Sequence, residues 1–219
     1  SKVSEKISLS DAAAYFIQTT TAYHLLHTIG KIKAEDIILI HAIGGGVGLN
    51  LAQLAKLTEA KVIGTVGTTG KEEKPYECGA DLVIDRSQKS FVKEIENLYG
   101  NTPIDLLIDS TGAEILDDSF QLMRNLAHVV SYGESSGKPY TNLWERLVEK
   151  SLTFTRLHIG HMDMTSEYWL VAQEKIQSLI KSGELKLFIE KVFELTEFDK
   201  LYETLESRGV GGKLLLKFK

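Results

Sequence analysis

The segment IILIHAIGGGVGLNLAQLAKL, residues 37–57, places three consecutive glycines between an apolar run and a helical pattern. The run at 37–42 is rich in isoleucine and almost free of polar side chains, which is typical of a strand buried on both faces. Residues 47–57 carry apolar side chains at helical spacing. A buried strand, a glycine corner and a helix in this order predict a βαβ unit and therefore a parallel sheet.

The same alternation of strand and helix continues along the chain. The predicted strands cover residues 37–42, 61–66, 82–85, 104–110, 129–132, 152–157, 189–193 and 213–218. The predicted helices cover residues 12–29, 47–57, 73–78, 91–98, 115–122, 143–150, 166–181 and 198–206. Because the first six strands are joined by helices, we predict an α/β fold of the Rossmann type, with a doubly wound, parallel, six-stranded sheet.

Composition excludes several classes of protein. The 25 basic residues are scattered among 30 acidic ones, so we expect no surface for nucleic acid or an anionic membrane. The apolar runs are shorter than the ~20 residues that a membrane span needs, and the first six residues contain no apolar signal core. Cys78 is the only cysteine, which excludes an intrachain disulfide. We therefore expect a cytoplasmic protein.

The glycine corner resembles a dinucleotide-binding turn. A strict G-x-G-x-x-G motif would need glycine at positions 43, 45 and 48, and the chain has Ile43, Gly45 and Gly48. In such turns the glycines allow a tight corner and a close approach of the backbone to the pyrophosphate, which the helix N-terminus binds. Since the corner opens an alternating series, it predicts a dinucleotide site; the alternative is a purely structural corner.

The end of the second strand indicates which cofactor is preferred. Sites for NAD usually carry a carboxylate there, but the segment 64–71, GTVGTTGK, contains none before Glu72. Thr68 and Lys71 suit a ribose that bears a 2′-phosphate, which favours NADP(H), although Lys71 could also be a solvated lysine. Arg86, after the third strand, is a candidate for the phosphate or for stacking on adenine, or it is a plain surface arginine.

Seven segments carry a family resemblance that spans nearly the whole chain. In order they are QTTTAYHLLH, ILIHAIGGGVGLNLAQLAK, VIGTVGTTGK, CGADLVID, LLIDSTG, VSYGESSG and ESRGVGGKLLL. With them the chain resembles the zinc-independent quinone oxidoreductase branch of the medium-chain dehydrogenase/reductase superfamily, whose members are similar to zinc-type alcohol dehydrogenases.

The resemblance implies a set of cofactor-binding residues. They are Thr21 near the nicotinamide; Gly45, Gly46, Val47 and Gly48 at the pyrophosphate; Lys71 at the 2′-phosphate; Ser110 and Thr111 at the adenosine half; Tyr132, Gly133 and Ser135 along the nicotinamide half; and Arg208, closing over the cofactor. Two positions depart from the family. Arg86 stands where a tyrosine is common, and Ile43 replaces a small residue, so the first turn must be packed differently.

The resemblance also divides the chain. Residues 1–30 would form a crossover helix region, 31–160 the NADP(H)-binding Rossmann domain, and 161–219 a segment that returns to a catalytic domain. Family members carry an N-terminal GroES-like domain that is not seen in this sequence. We therefore expect a fragment or a separately expressed cofactor half, with weak or no activity alone.

The sequence gives little support for a metal site or for a catalytic acid. A catalytic zinc would need a ligand near the segment IQTTTAY, where the chain has Ile17, and a structural zinc would need four cysteines. The pairs His24 with His27 and His158 with His161 lack a third ligand, so we predict no metal site. No catalytic residue is assigned, because Asp109 reads best as a strand-end hydrogen-bonding residue and His41 as a buried, hydrogen-bonded histidine.

The expected activity is hydride transfer from NADPH to a quinone or an α,β-unsaturated carbonyl compound. The alternatives are an enoyl-thioester reductase and a non-catalytic NADPH-binding module. The segment 151–159, SLTFTRLHI, predicts a strand at the sheet edge, and in the family such edges pair across a two-fold axis. We expect a homodimer; the alternative is an edge covered by the following helix.

Overall fold

The computed structural model describes residues 3–138, 140–207 and 210–218. Six strands form the main sheet: β1 (Ile37–His41), β2 (Lys61–Val66), β3 (Leu82–Asp85), β4 (Ile104–Asp109), β5 (Met123–Ser131) and β6 (Thr153–Arg156). The connecting helices are α2 (Gly46–Leu57), α3 (Glu73–Glu77), α4 (Phe91–Tyr99), α5 (Ala113–Phe120) and α6 (Leu143–Lys150).

Further helices and strands flank this unit. Before β1, helix α1 (Leu9–Tyr23) continues into a π-helix, His24–Ile29. After β6 come a 3₁₀ turn (Ile159–His161), α7 (Glu167–Ser182), β7 (Ile189–Glu194), a 3₁₀ turn (Leu195–Glu197), α8 (Phe198–Glu206) and β8 (Lys213–Lys217). No helix in the described ranges is long and apolar enough to cross a membrane.

The main sheet is parallel throughout, with the strand order β3-β2-β1-β4-β5-β6. The chain turns from one direction of winding to the other between β1 and β4, which are neighbours. In open α/β sheets this switch point creates a crevice at the carboxyl ends of the strands. The predicted doubly wound, six-stranded sheet is confirmed, and β7 and β8 form a separate parallel pair.

Both faces of the sheet are covered. In β1, Ile38 and Ile40 belong to one buried cluster, which α1, α2 and α7 share, whereas Leu39 belongs to a second cluster with side chains of α4 and α5. Successive side chains of a strand point to opposite faces, so a strand with core on both sides must be apolar throughout. This explains why the apolar runs located the central strands.

Strand β5 begins six residues earlier than the apolar pattern predicts, at Met123 instead of 129. The segment 124–126, RNL, is exposed, and Leu126 has a positive φ of 62°. The β4–β5 register also shifts between Ile104 and Leu106. An exposed, irregular entry to a strand has no hydrophobic alternation, and the sequence therefore predicted only its buried end.

The corner after β1 explains how a large residue fits at position 43. Ile43 is fully buried, and its side chain lies over Gly64 of β2, where a Cβ atom would come within 2.4 Å of Ile43 Cδ1. A Cβ atom on Gly48 would lie 2.5 Å from the Ile43 Cα atom and carbonyl oxygen. The bulk at 43 is thus matched by the missing side chain at 64, while Gly48 allows α2 to touch the corner.

Two buried histidines lie in this core. His41 Nε2 lies 2.7 Å from Ser119 Oγ, which donates its own proton to the Ile115 carbonyl. His41 Nε2 must therefore carry a proton, and Nδ1 accepts from Thr65 Oγ1 at 2.8 Å. Burial, with Arg86 nearby, lowers the pKa of His41 to about 3, and burial, with His27 nearby, lowers the pKa of His24 to about 4. Both rings are neutral in the folded protein at pH 7.

We predict that Gly64→Ala lowers the free energy of unfolding by about 1–3 kcal/mol, because the new methyl group overlaps the Ile43 side chain. Ile43→Ala alone opens a cavity and costs about 2–5 kcal/mol. The double variant should lose at least ~0.5 kcal/mol less than the sum of the two single losses. Urea denaturation of the four proteins measures this coupling, and strict additivity would show that the two side-chain positions do not compete for space.

We predict that stability falls as the pH is lowered from about 6.5 towards 4. In this window the unfolded chain protonates His24 and His41, whereas the folded protein does not, so each contributes up to about 1.4 kcal/mol per pH unit. His24→Phe should remove one of these contributions. Urea midpoints at pH 7, 6 and 5 test this, and an unchanged slope in the variant would contradict it.

Candidate functional site

A cleft with a volume of about 520 Å³ lies at the carboxyl edge of the main sheet. Its position is the one that the strand order favours for ligands in doubly wound folds. The residues that line it come from the ends of β1 to β3 and from the turns after β4 and β5: Ala42, Gly44, Gly45, Val66, Gly67, Thr68, Lys71, Arg86, Thr111, Ser135 and Ser136.

The glycine corner aims the N-terminus of α2 at this cleft. Ala42 has a positive φ of 55°, and the Gly45 N–H group donates to the Ala42 carbonyl at 3.0 Å, which closes the turn. Helix α2 then begins at Gly46 with no acidic residue in its first turn. The first N–H groups of a helix have no intrahelical acceptor and carry partial positive charge. This end of the cleft is therefore suited to an anion.

Helix α1 reaches the same corner. The Gln18 side chain lies over Gly46, where a Cβ atom would be 2.2 Å from Gln18 Nε2. Thr19 Oγ1 donates to Asn50 Oδ1 at 2.9 Å, and Asn50 Nδ2 donates to the Gly46 carbonyl at 2.7 Å. Gln18 thus lies beside the corner, a contact that could not be predicted from the sequence because nothing local in α1 signals a neighbour 28 residues later.

Two cationic side chains line the other part of the cleft. Lys71 Nζ donates to the Val210 carbonyl at 3.4 Å. Arg86 Nε is buried and has no hydrogen-bond partner among the described residues. Burial lowers the pKa of Arg86, whereas Asp109 and Asp85 act in the opposite direction. None of the lining residues is a carboxylate, so the cleft wall as a whole favours negative charge.

Asp109 shapes the turn after β4. Its buried carboxylate accepts hydrogen bonds from the N–H groups of Thr111 and Gly112, both at 2.9 Å. Burial raises the pKa of Asp109, and these hydrogen bonds and nearby arginines only partly offset the rise. The interpretation of Asp109 as a strand-end hydrogen-bonding residue is confirmed, as is that of His41 as a buried, hydrogen-bonded histidine.

The turns after β4 and β5 are joined by backbone hydrogen bonds. The N–H groups of Tyr132, Ser135 and Ser136 donate to the carbonyls of Asp109, Ser110 and Thr111 at 2.9, 3.0 and 3.0 Å, respectively. Gly133 permits this approach, since a Cβ atom there would lie 3.0 Å from the Ser110 carbonyl oxygen. Burial raises the pKa of Tyr132 to about 12, so its phenol stays protonated.

The structure brings most of the predicted site residues to one place. Those that line the cleft are Gly45, Thr68, Lys71, Arg86, Thr111 and Ser135. Those beside it, in the first turn of α2 or in the joined turns, are Gly46, Val47, Gly48, Ser110, Tyr132 and Gly133. Thr21 is buried in α1 and does not line the cleft, and Arg208 lies outside the described residues.

Five further residues line the cleft that were not among the predicted site residues: Ala42, Gly44, Val66, Gly67 and Ser136. Ala42 directly follows β1, Val66 ends β2 and Gly67 follows it, and Gly44 belongs to the glycine corner, so nearness to strand ends could have revealed these four.

The described residues offer no ligand set for zinc. They contain no group of three or more His, Cys, Asp or Glu side chains placed to hold a metal ion. Cys78 is buried, and burial, with Glu77 nearby, raises the pKa of its thiol to about 12. His24 stacks on Trp169 at 5.2 Å between ring centroids, and the rings of His158 and His161 stack on each other at 4.5 Å.

Comparisons with known proteins place this fold and cleft in a family. The zinc-binding dehydrogenase family matches residues 46–178. The described residues of this chain nevertheless contain no group of three or more side chains placed to hold zinc. Quinone oxidoreductase 1 of Escherichia coli is 34% identical over 213 residues, which cover 96% of this chain and 65% of that protein. The 2-haloacrylate reductase of a Burkholderia species is 29% identical, with 98% and 66% covered.

A solved structure supports the same family assignment. The Escherichia coli quinone oxidoreductase complexed with NADPH superposes with a TM-score of 0.90 at 33% identity, covering 99% of this chain and 67% of that one. The chain thus spans 65–66% of the length of the curated relatives just named. It belongs to the zinc-binding dehydrogenase family, in the quinone oxidoreductase branch of the medium-chain dehydrogenase/reductase superfamily.

Proposed function

We propose that the chain binds NADP(H) in the cleft and forms the cofactor-binding part of a reductase that transfers hydride to a quinone or an α,β-unsaturated carbonyl compound. The observation that carries the proposal is the cleft itself. It joins the N-terminus of α2 to Lys71 and Arg86 and contains no carboxylate among its lining residues. The NADPH complex of a relative with the same fold supports the choice of cofactor.

The residues present fit this cofactor. The corner at Gly45 leaves room for a pyrophosphate, since a Cβ atom there would meet nothing closer than the Ala42 carbonyl oxygen at 3.3 Å. The buried Arg86 Nε, without a partner among the described residues, is a donor that a ribose phosphate or adenine could satisfy. Lys71 and Thr68 lie in the same wall and complete a pocket for the 2′-phosphate.

We assign the remaining contacts by position. Amides at the start of α2 bind the pyrophosphate, the turn after β4 holds the adenosine half, and the turn after β5 holds the nicotinamide half. These assignments cover Gly45, Gly46, Val47 and Gly48; Ser110 and Thr111; and Tyr132, Gly133 and Ser135. Two assignments rest on the family resemblance alone: Thr21 near the nicotinamide, although it does not line the cleft, and Arg208, outside the described residues, over the cofactor.

When bound, the cofactor supplies the hydride. The protein's contribution is to orient the cofactor and to exclude water. Asp109 is held by two backbone amides and His41 by two hydroxyl groups, and burial, with Arg86 nearby, lowers the pKa of His41 to about 3. Neither side chain is placed to deliver a proton, so we assign no catalytic acid to them.

The proposed division of the chain follows the packing. Residues 31–160 contain the main sheet and the cleft. Residues 1–30 contain α1. Helix α7 packs on α1, and Gln173 Nε2 of α7 donates a hydrogen bond to Thr20 Oγ1 of α1 at 2.9 Å. Residues 161–219 carry the separate β7–β8 pair, which we propose returns towards a catalytic domain. We propose that the protein is cytoplasmic, in keeping with its single cysteine, Cys78.

We predict that the chain forms a homodimer through β6. This strand pairs with β5 on one side and forms the edge of the main sheet, so its other side is a template for a second copy. Light scattering should give a particle of about twice the 24.4 kDa chain mass. A particle with the mass of one chain at micromolar concentration would contradict the prediction.

We predict that Lys71→Ala weakens NADPH binding by roughly 10- to 100-fold, the effect of losing a charge-assisted phosphate contact, and leaves NADH binding within about twofold. Lys93→Ala, which removes an exposed lysine of α4, is the control. Fluorescence titration with both nucleotides measures the ratio. Equal affinity of the unmodified chain for NADPH and NADH would contradict the choice of cofactor.

The acceptor is tested by assaying the protein with NADPH and each of three substrates: a quinone, a 2-enal and an enoyl-thioester. Reduction of a quinone or a 2-enal, but not of an enoyl-thioester, would support the proposal. The reverse pattern would favour an enoyl-thioester reductase, and NADPH binding without turnover of any of the three would indicate a non-catalytic module.

A further inference from the structure

A loop of the C-terminal segment, residues 210–212, lies against the Lys71 end of the cleft. Lys74 Nζ of α3 donates to the Gly211 carbonyl at 2.7 Å and pairs with Glu190 Oε2 of β7 at 2.5 Å. Lys71 Nζ, three residues earlier, donates to the Val210 carbonyl at 3.4 Å. Two lysines on one segment therefore hold two consecutive carbonyls of a segment more than 130 residues away.

The path of this loop is narrowly defined. Gly212 has φ +148°, and a Cβ atom there would lie 2.5 Å from the Phe188 carbonyl oxygen, to which the Lys213 N–H group donates at 2.7 Å. A Cβ atom on Gly211 would be 3.3 Å from Lys74 Cδ. The loop is thus fixed by Phe188 on one side and by the Lys74 side chain on the other.

A second cavity, of about 190 Å³, is lined by residues of the loop and by residues of the cleft. Its lining includes Lys74, Glu190 and Gly211, and it shares Gly44 and Lys71 with the cleft. The loop and the place where the ribose phosphate is proposed to bind therefore share a wall, at Gly44 and Lys71.

We infer that Lys74 is a positioning residue for cofactor selectivity: by clamping Gly211 it fixes the Val210 carbonyl, which in turn orients the Lys71 ammonium towards the ribose 2′-phosphate. The inference rests on the proposed function, because it presupposes NADP(H) in the cleft. Glu190 holds Lys74 in this position and balances its charge, so Lys74 acts through the loop and not by attracting the phosphate itself.

Two small probes isolate the effect. Adenosine 2′,5′-bisphosphate carries the phosphate in question, and 5′-AMP lacks it. Isothermal titration of the Lys74→Met variant should show bisphosphate binding weakened by roughly 3- to 10-fold, with 5′-AMP binding changed by less than about twofold. Lys74→Arg, which keeps a donor and a charge, should restore most of the difference. Lys56→Met, which breaks the Lys56–Asp81 ion pair away from the cleft, is the matched control.

Glu190→Gln separates positioning from simple charge attraction. If Lys74 acted by its charge, removing the opposing carboxylate would tighten bisphosphate binding. Positioning predicts the opposite, a weakening that follows the loss of the clamp. Thermal melting accompanies each titration, and the Glu190→Gln result decides the question if Lys74→Met does not fold.

The inference is overturned if Lys74→Met binds both probes like the unmodified chain, if it loses affinity for both equally, or if Glu190→Gln binds the bisphosphate more tightly. Failure of the proposed function looks different, because the unmodified chain would then bind neither probe or would bind the bisphosphate no more tightly than 5′-AMP. One combination of results overturns only the role of Lys74: the unmodified chain prefers the bisphosphate, Lys71→Ala loses this preference, and Lys74→Met keeps it. The proposed function would then stand.

Discussion

The rest of the structure depends on close packing at the corner after β1, where Ile43 contacts Gly48 and Gly64. Gly48 lets the first turn of α2 touch the backbone of Ile43, and the Ile43 side chain fills the space over Gly64. The helix N-terminus is thereby brought against the carboxyl edge of the sheet, where the strand order already creates a crevice. Backbone proximity, and not any single polar residue, makes this edge receptive to a phosphate-bearing ligand.

Polar groups at the same edge serve the architecture. Asp109 organises a turn and His41 joins β1 to β2 and α5, each with its partners supplied by the protein. Buried polar groups are tolerated when they are hydrogen-bonded in this way. The charged side chains that face the cleft, Lys71 and Arg86, come instead from segments that follow β2 and β3. The central strands thus supply the scaffold and the outer strands the charge.

The sequence predicted the fold well because both faces of the central strands are covered, which forces unbroken apolar runs. It also located the cleft, since the glycine corner and the residues after β2 to β5 are close to strand ends in the chain. It could not reveal Gln18 over Gly46 or the clamp from Lys74 to Gly211, because these contacts join distant segments through side chains with no local pattern. The exposed start of β5 could not be predicted either, because its residues lack the alternation of apolar and polar side chains.

The turns after β4 and β5 are tied together by three backbone hydrogen bonds, from Tyr132, Ser135 and Ser136 to Asp109, Ser110 and Thr111. These hydrogen bonds join the two turns into one unit, which the Asp109 carboxylate holds at the end of β4. We therefore expect the side proposed for adenosine and the side proposed for nicotinamide to move together. Two halves of an elongated ligand would then be sensed as a single event.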